Sequence, residues 1–132
     1  MRVRPRRDLR FGTVIAGIPT SIPWSSSSAG RWFIQGLPGA EVTLDFVNLP
    51  SYLQNGSRQL PISFAVDDAA YAFGPHSGNA TTFDPNTGTT VRLNPRNGHL
   101  TVWIGGTVSP PQTQQPGDYI ADITLEVVYT GN

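Results

Sequence analysis

From Tyr119 to Tyr129 the side chains alternate with period two. Tyr119, Ala121, Ile123, Leu125, Val127 and Tyr129 lie on one face, and Ile120, Asp122, Thr124, Glu126 and Val128 on the other. That is the spacing of a half-buried strand. Glu41 to Val47 repeats it, with Val42, Leu44 and Phe46 facing one way and Glu41, Thr43 and Asp45 the other. No window of 11–18 residues carries a 3.6 period, so a helical bundle is excluded. Shorter strand patterns occur at Leu9–Ile15, Thr20–Trp24, Arg31–Gln35, Leu60–Val66, Thr89–Leu93 and His99–Ile104. Glycine (14) and proline (12) punctuate them within 132 residues. Seven to nine short antiparallel strands in one domain predict an all-β sandwich. Residues 67–88 read as irregular. Asn94–Gly98 reads as a five-residue hairpin loop. The expected core is Phe11, Phe33, Val42, Leu44, Phe46, Trp103, Ile123, Leu125 and Val127.

Charge is neutral in sum and uneven in place. All nine basic residues are arginine. Arg2, Arg4, Arg6, Arg7 and Arg10 face only Asp8 in the first ten residues, a net +4; four arginines and eight acids leave the remainder at −4. Residues 1–8 therefore read as a basic arm that docks on the acidic body of another copy, with a solvated chain end as the alternative. Apart from Arg7, the arm alternates as well, with Met1, Val3, Pro5, Leu9 and Phe11 opposite Arg2, Arg4, Arg6, Asp8 and Arg10. Pro5 lacks an N–H and favours an edge strand. A secretory signal needs an apolar run of 7–15 residues after its charges, and Asp8, Arg10 and Gly12 interrupt any such run. The chain is thus read as cytoplasmic, or as a mature form whose leader was replaced by Met1.

Groups that carry chemistry are scarce. There is no cysteine, hence no disulfide, thiolate nucleophile or cysteine zinc site. His99, Asp122 and a serine make a nominal triad, but no G-x-S-x-G elbow accompanies them. The chain is read as a non-enzyme without a cofactor. Asp84-Pro-Asn86-Thr-Gly88 resembles the start of a calcium loop, with Asp67 and Asp68 as further oxygen donors. Pro95 stands where an EF-hand places its bidentate Glu, and Asx turns are the ordinary use of such a stretch. Asn55-Gly-Ser57 and Asn79-Ala-Thr81 match the glycosylation pattern, although Asn55-Gly56 also reads as a tight turn. Trp32 and Trp103 sit within strands and read as core, leaving Trp24 as the candidate ligand-stacking aromatic. The arm has little aromatic interleaving and the body is acidic, against nucleic acid. No apolar run is long enough to insert in a membrane.

Four segments occur in order: Asp8-Leu9-Arg10-Phe11-Gly12-Thr13-Val14-Ile15-Ala16-Gly17, Phe33–Leu44 (FIQGLPGAEVTL), Leu100–Val108 (LTVWIGGTV) and Gln115-Pro116-Gly117-Asp118-Tyr119. Together they resemble a family of small secreted bacterial proteins catalogued as a domain of unknown function. That family is akin to the spore coat protein U domain and, more distantly, to fimbrial subunits. The resemblance implies an immunoglobulin-like, pilin-type sandwich, exported to the cell surface or beyond. In the wider fimbrial class, subunits polymerise by lending a terminal arm to the next copy. Here Val3, Arg4, Pro5, Arg6, Leu9 and Phe11 would make that contact. The alternative is a monomeric secreted module that binds carbohydrate or a host surface. A secreted hydrolase is the third reading. Deleting Met1 to Arg7 is expected to prevent assembly with little loss of thermal stability.

Overall fold

A computed structural model describes residues 1–55, 58–74, 77–114 and 117–132. Its strands are β1 (Arg2–Arg7), β2 (Leu9–Thr13), β3 (Thr20–Ile22), β4 (Gly30–Gln35), β5 (Glu41–Val47), β6 (Tyr52–Asn55) and β7 (Arg58–Ser63). There follow β8 (Ala69–Ala72), β9 (Thr81–Phe83), β10 (Thr89–Arg92), β11 (His99–Ile104), β12 (Gly106–Val108), β13 (Asp118–Ala121) and β14 (Thr124–Tyr129). One short 3-10 turn, Ser77–Asn79, is the sole helical segment among the described residues, and it is far too short to cross a membrane. The fold is all-β and sandwich-like.

Fourteen strands replace the seven to nine expected, largely because long strands are broken where they pass between sheets. β1 and β2 meet at Asp8, β11 and β12 at Gly105, and β13 and β14 at Asp122–Ile123. The sheets run β1-β4-β11-β8-β9, β10-β5-β14, β3-β12-β7-β6 and β13-β2. The first two face each other across the larger core. Trp32, Ile34, Leu100, Val102 and Ile104 from one side meet Val42, Leu44, Phe46, Val91 and Leu125 from the other. The last two sheets enclose a second core of Leu9, Phe11, Leu53, Leu60, Ile62, Val108, Tyr119 and Ala121. Ile123, at the strand break, packs on both.

Several expectations change. β10 and β11 do not form a hairpin: β10 pairs with β5 and β11 with β4. Asn94–Gly98 arches across the core because Leu93 and Leu100, both fully buried, enter it from opposite sheets. Gly98 closes the arch at φ 72, and its carbonyl accepts the Gly36 N–H at 3.0 Å. A side chain there would collide with the Gly36 backbone. Phe33 leaves the core, since β4 turns Trp32 and Ile34 inward and Phe33 outward. Trp103 is buried, but on the outer side of its sheet, over Ala70 and Ala72 and under Trp24. Residues 67–88 contain two strands, β8 and β9, that the irregular reading missed.

Candidate functional site

The arm is an edge strand of its own sheet. β1 pairs antiparallel with β4, placing Val3 opposite Ile34, Arg4 opposite Phe33 and Pro5 opposite Trp32, with a bulge between Pro5 and Arg7. Proline suits the outermost position because no ladder bond is asked of it there. Val3 is half-buried against the larger core, while Arg2, Arg4, Pro5 and Arg6 are exposed. Arg7 turns back into the chain, where its guanidinium donates to the carbonyls of Ala29 (2.7 Å) and Ser26 (3.2 Å). Burial, and secondarily the Arg31 charge, lowers its pKa from the usual arginine value. Leu9 and Phe11 are fixed in the second core. Of the six residues expected to touch another copy, these two are committed to the fold of their own chain.

The outer face of the same sheet is basic and aromatic. Strand alternation turns Arg31, Phe33 and Gln35 outward from β4, and His99, Thr101 and Trp103 outward from β11. Arg6 lies 5.8 Å from the Phe33 ring centroid, a cation–π distance. Phe33 meets His99 edge-on at 5.0 Å, and the Gln35 amide nitrogen is 3.3 Å from His99 Nε2. Arg6, Arg31, Phe33, Phe73, His99 and Asn97 border a groove of about 530 Å³, the size of a small-molecule site. Thr101 forms part of its lining and is 2% exposed; its hydroxyl has no hydrogen-bond partner among the described residues. A buried unpaired hydroxyl destabilises. Thr101→Val, which keeps the shape and removes the polar atom, is therefore expected to raise stability by about 1 kcal/mol. Thermal denaturation with and without the substitution checks it. A lowered melting temperature would mean that the hydroxyl is in fact paired.

The remaining candidates separate from this surface. Trp24 is half-buried against Trp103, ring centroids 5.9 Å apart, so it caps the outer face instead of standing free. Asp84 and Asn86 form an Asx turn: Asp84 Oδ1 accepts the Asn86 backbone N–H at 2.9 Å, and the Asn86 amide donates to the Phe64 carbonyl. Asp68 accepts the Ala65 N–H at 2.6 Å, and burial raises its pKa above the usual aspartate value. No group of three metal-ligating His, Cys, Asp or Glu side chains gathers among the described residues. His76, which reads as a loop histidine in a Gly/Pro stretch, Gln115 and Pro116 of the fourth segment, and Gly56 and Ser57 lie outside the described residues.

On the opposite side of the sandwich, the outer face of β10-β5-β14 is acidic. Asp45 and Glu126 stand directly opposite each other in register. Thr43, Thr87, Thr90 and these two acids line a second groove of about 420 Å³. Glu41 on the same face is already satisfied. Its Oε1 accepts from the Thr130 hydroxyl (2.8 Å) and the Asn132 amide (3.3 Å), and Arg92 lies 3.9 Å away. The Thr130 bond first, then Asn132, lowers its pKa. Sequence reasoning missed Arg31, Phe33, His99, Asp45 and Glu126 as a set of surface residues. Their strand parity was legible, but which sheets face outward on opposite sides was not. No family model, no curated protein and no solved structure matches this chain.

Proposed function

We propose that the chain is a structural subunit of a bacterial extracellular filament, pilus or coat, an immunoglobulin-like, pilin-type sandwich that self-associates by β-strand addition through its N-terminal arm. One observation carries the reading. β1 is an edge strand paired on one side only, joined to the rest of the sandwich by Asp8 alone, and Val3 and Arg7 are its only residues that are not exposed. The slot along β4 accepts the same six residues in the same register from another copy. Exchange of an identical element is a low-cost route to association, and head-to-tail exchange is open-ended. Main-chain bonds supply affinity and Val3 supplies the apolar contact. The exchangeable part ends at Asp8, because Leu9 and Phe11 are anchored.

Removal of Met1 to Arg7 tests this. Half-burial of Val3 contributes about 1 kcal/mol, the Arg7 bonds about 1–2 kcal/mol, and the main-chain ladder to β4, part of which water replaces, about 1–2 kcal/mol more. The truncated protein should therefore stay folded, with a melting temperature lower by about 10 °C or more. This loss exceeds the small one expected from the sequence. Truncation should also abolish assembly in sedimentation velocity, and a synthetic Met1–Asp8 peptide should bind and restore the melting temperature. A truncated protein that assembles like the intact chain would overturn strand addition. The second reading, a binding module, is favoured by the cationic, aromatic groove at Phe33. It requires a glycan to bind the monomer in calorimetry and Phe33→Ala to abolish that binding.

A further inference from the structure

We infer that the basic outer face at Arg6, Arg31 and Phe33 docks on the acidic outer face at Asp45 and Glu126 of a second copy. The inference rests on the self-association reading and adds a second contact, independent of the arm's backbone.

Arg92–Glu41 is the one ion pair among the described residues. Arg4, Arg6 and Arg31 share one sheet face and have no ion-pair partner among the described residues. Across the sandwich, Asp45 and Glu126 are cross-strand neighbours of like charge, an arrangement that destabilises a sheet unless a cation joins it. Arg92, on the same face, is held by Glu41 and the Gly39 carbonyl, and the larger core separates Asp45 and Glu126 from Arg4, Arg6 and Arg31.

Symmetry then selects the mode. A two-fold dimer through either face sets like charge on like charge. Only a head-to-tail contact sets guanidinium on carboxylate, and such a contact repeats without closing unless the rotation makes a ring. The acidic face spans three strands of up to seven residues. At about 4.8 Å per strand and 3.4 Å per residue, that is roughly 350 Å². A standard interface buries about 800 Å² per partner. The face contact alone is therefore low in affinity and sensitive to salt, and an arm lent to the neighbour raises it by effective concentration.

Charge reversal tests the contact. Arg4→Glu, Arg6→Glu and Arg31→Glu together make both faces acidic, and Asp45→Arg with Glu126→Arg makes both basic. These side chains point outward, and circular dichroism verifies the fold of each variant. Each variant alone should associate at least tenfold more weakly than the parent in sedimentation equilibrium at about 0.05 M salt, where screening is small. An equimolar mixture of the two should recover association, and about 0.5 M salt should abolish the recovery. Variants that associate like the parent would overturn the inference, as would a mixture that stays dissociated. It is also overturned if polygalacturonate binds the parent through Arg31 while the mixture shows no recovery, since the groove then serves an acidic saccharide. The arm reading is judged separately by the Met1–Asp8 peptide: charge-reversal recovery with an inert peptide retains the face contact and removes strand exchange.

Discussion

Gly105→Ala is expected to cost on the order of 3–5 kcal/mol, beyond the range of most single substitutions. Gly105 sits where β11 passes into β12, and the backbone of Ile22–Trp24 crosses directly over it. A Cβ there would overlap the Ile22 carbonyl oxygen and press on Pro23 and Trp24, all backbone atoms that no rotamer change relieves. The strand cannot retreat easily. The Gly105 N–H is tied to the Asp68 carbonyl at 2.7 Å, Ile104 is fully buried, and Gly106 pairs with Ile22. Urea denaturation gives the loss directly. A midpoint close to the parent's would show that the Thr20–Trp24 segment can shift without disturbing the sandwich.

Leu44→Ala is the second large effect. Leu44 is 1% exposed at the centre of β5, between β10 and β14, and faces the larger core. Truncation removes three carbons and leaves a cavity that flanking strands on both sides hold open. The expected loss is about 3–5 kcal/mol. Leu125, 7% exposed on the edge strand β14, has more freedom to collapse, and Leu125→Ala should cost about 2–3 kcal/mol. Since small domains hold only about 5–15 kcal/mol in total, Leu44→Ala consumes a large share of the stability. Denaturant titration of both variants checks the order; equal losses would mean that β14 is as rigid as β5.

Alternation made the strands legible wherever one face is buried and the other wet. β5 and the β13–β14 run follow that rule, and their inward residues are those the pattern selects. It failed at β8, Ala69–Ala72, for a physical reason. Alanine is a poor strand former in isolation. Here small residues are what allow Trp103, with Trp24 above it, to lie flat on the outer face. Phe33 was misplaced because Trp32, Phe33 and Ile34 are all apolar, so β4 carries no parity signal of its own. Its neighbours in space decide: Leu100 and Val3 flank Ile34, whereas Thr101 and Arg4 flank Phe33. The arch at Asn94–Gly98 has the same origin. Its length is right for a hairpin, and only the burial of Leu93 and Leu100 in opposite sheets shows that it crosses the core.

The candidate surface was half legible. The basic run in residues 1–10 and the excess of acid elsewhere stand in the sequence. The placement of Arg4 and Arg6 beside Arg31, across the sandwich from Asp45 and Glu126, depends on β1 joining β4 instead of the sheet that holds β5 and β14. Topology of that kind involves partners far apart along the chain, and no local pattern encodes it.

Head-to-tail association of copies of this chain is tested by sedimentation velocity of the intact protein over a hundredfold range of concentration, followed by negative-stain microscopy of the fastest species. The expected result is a sedimentation coefficient that rises with concentration and extended particles of sandwich-sized width. A single monomeric boundary at every concentration, with no elongated particles, would contradict it.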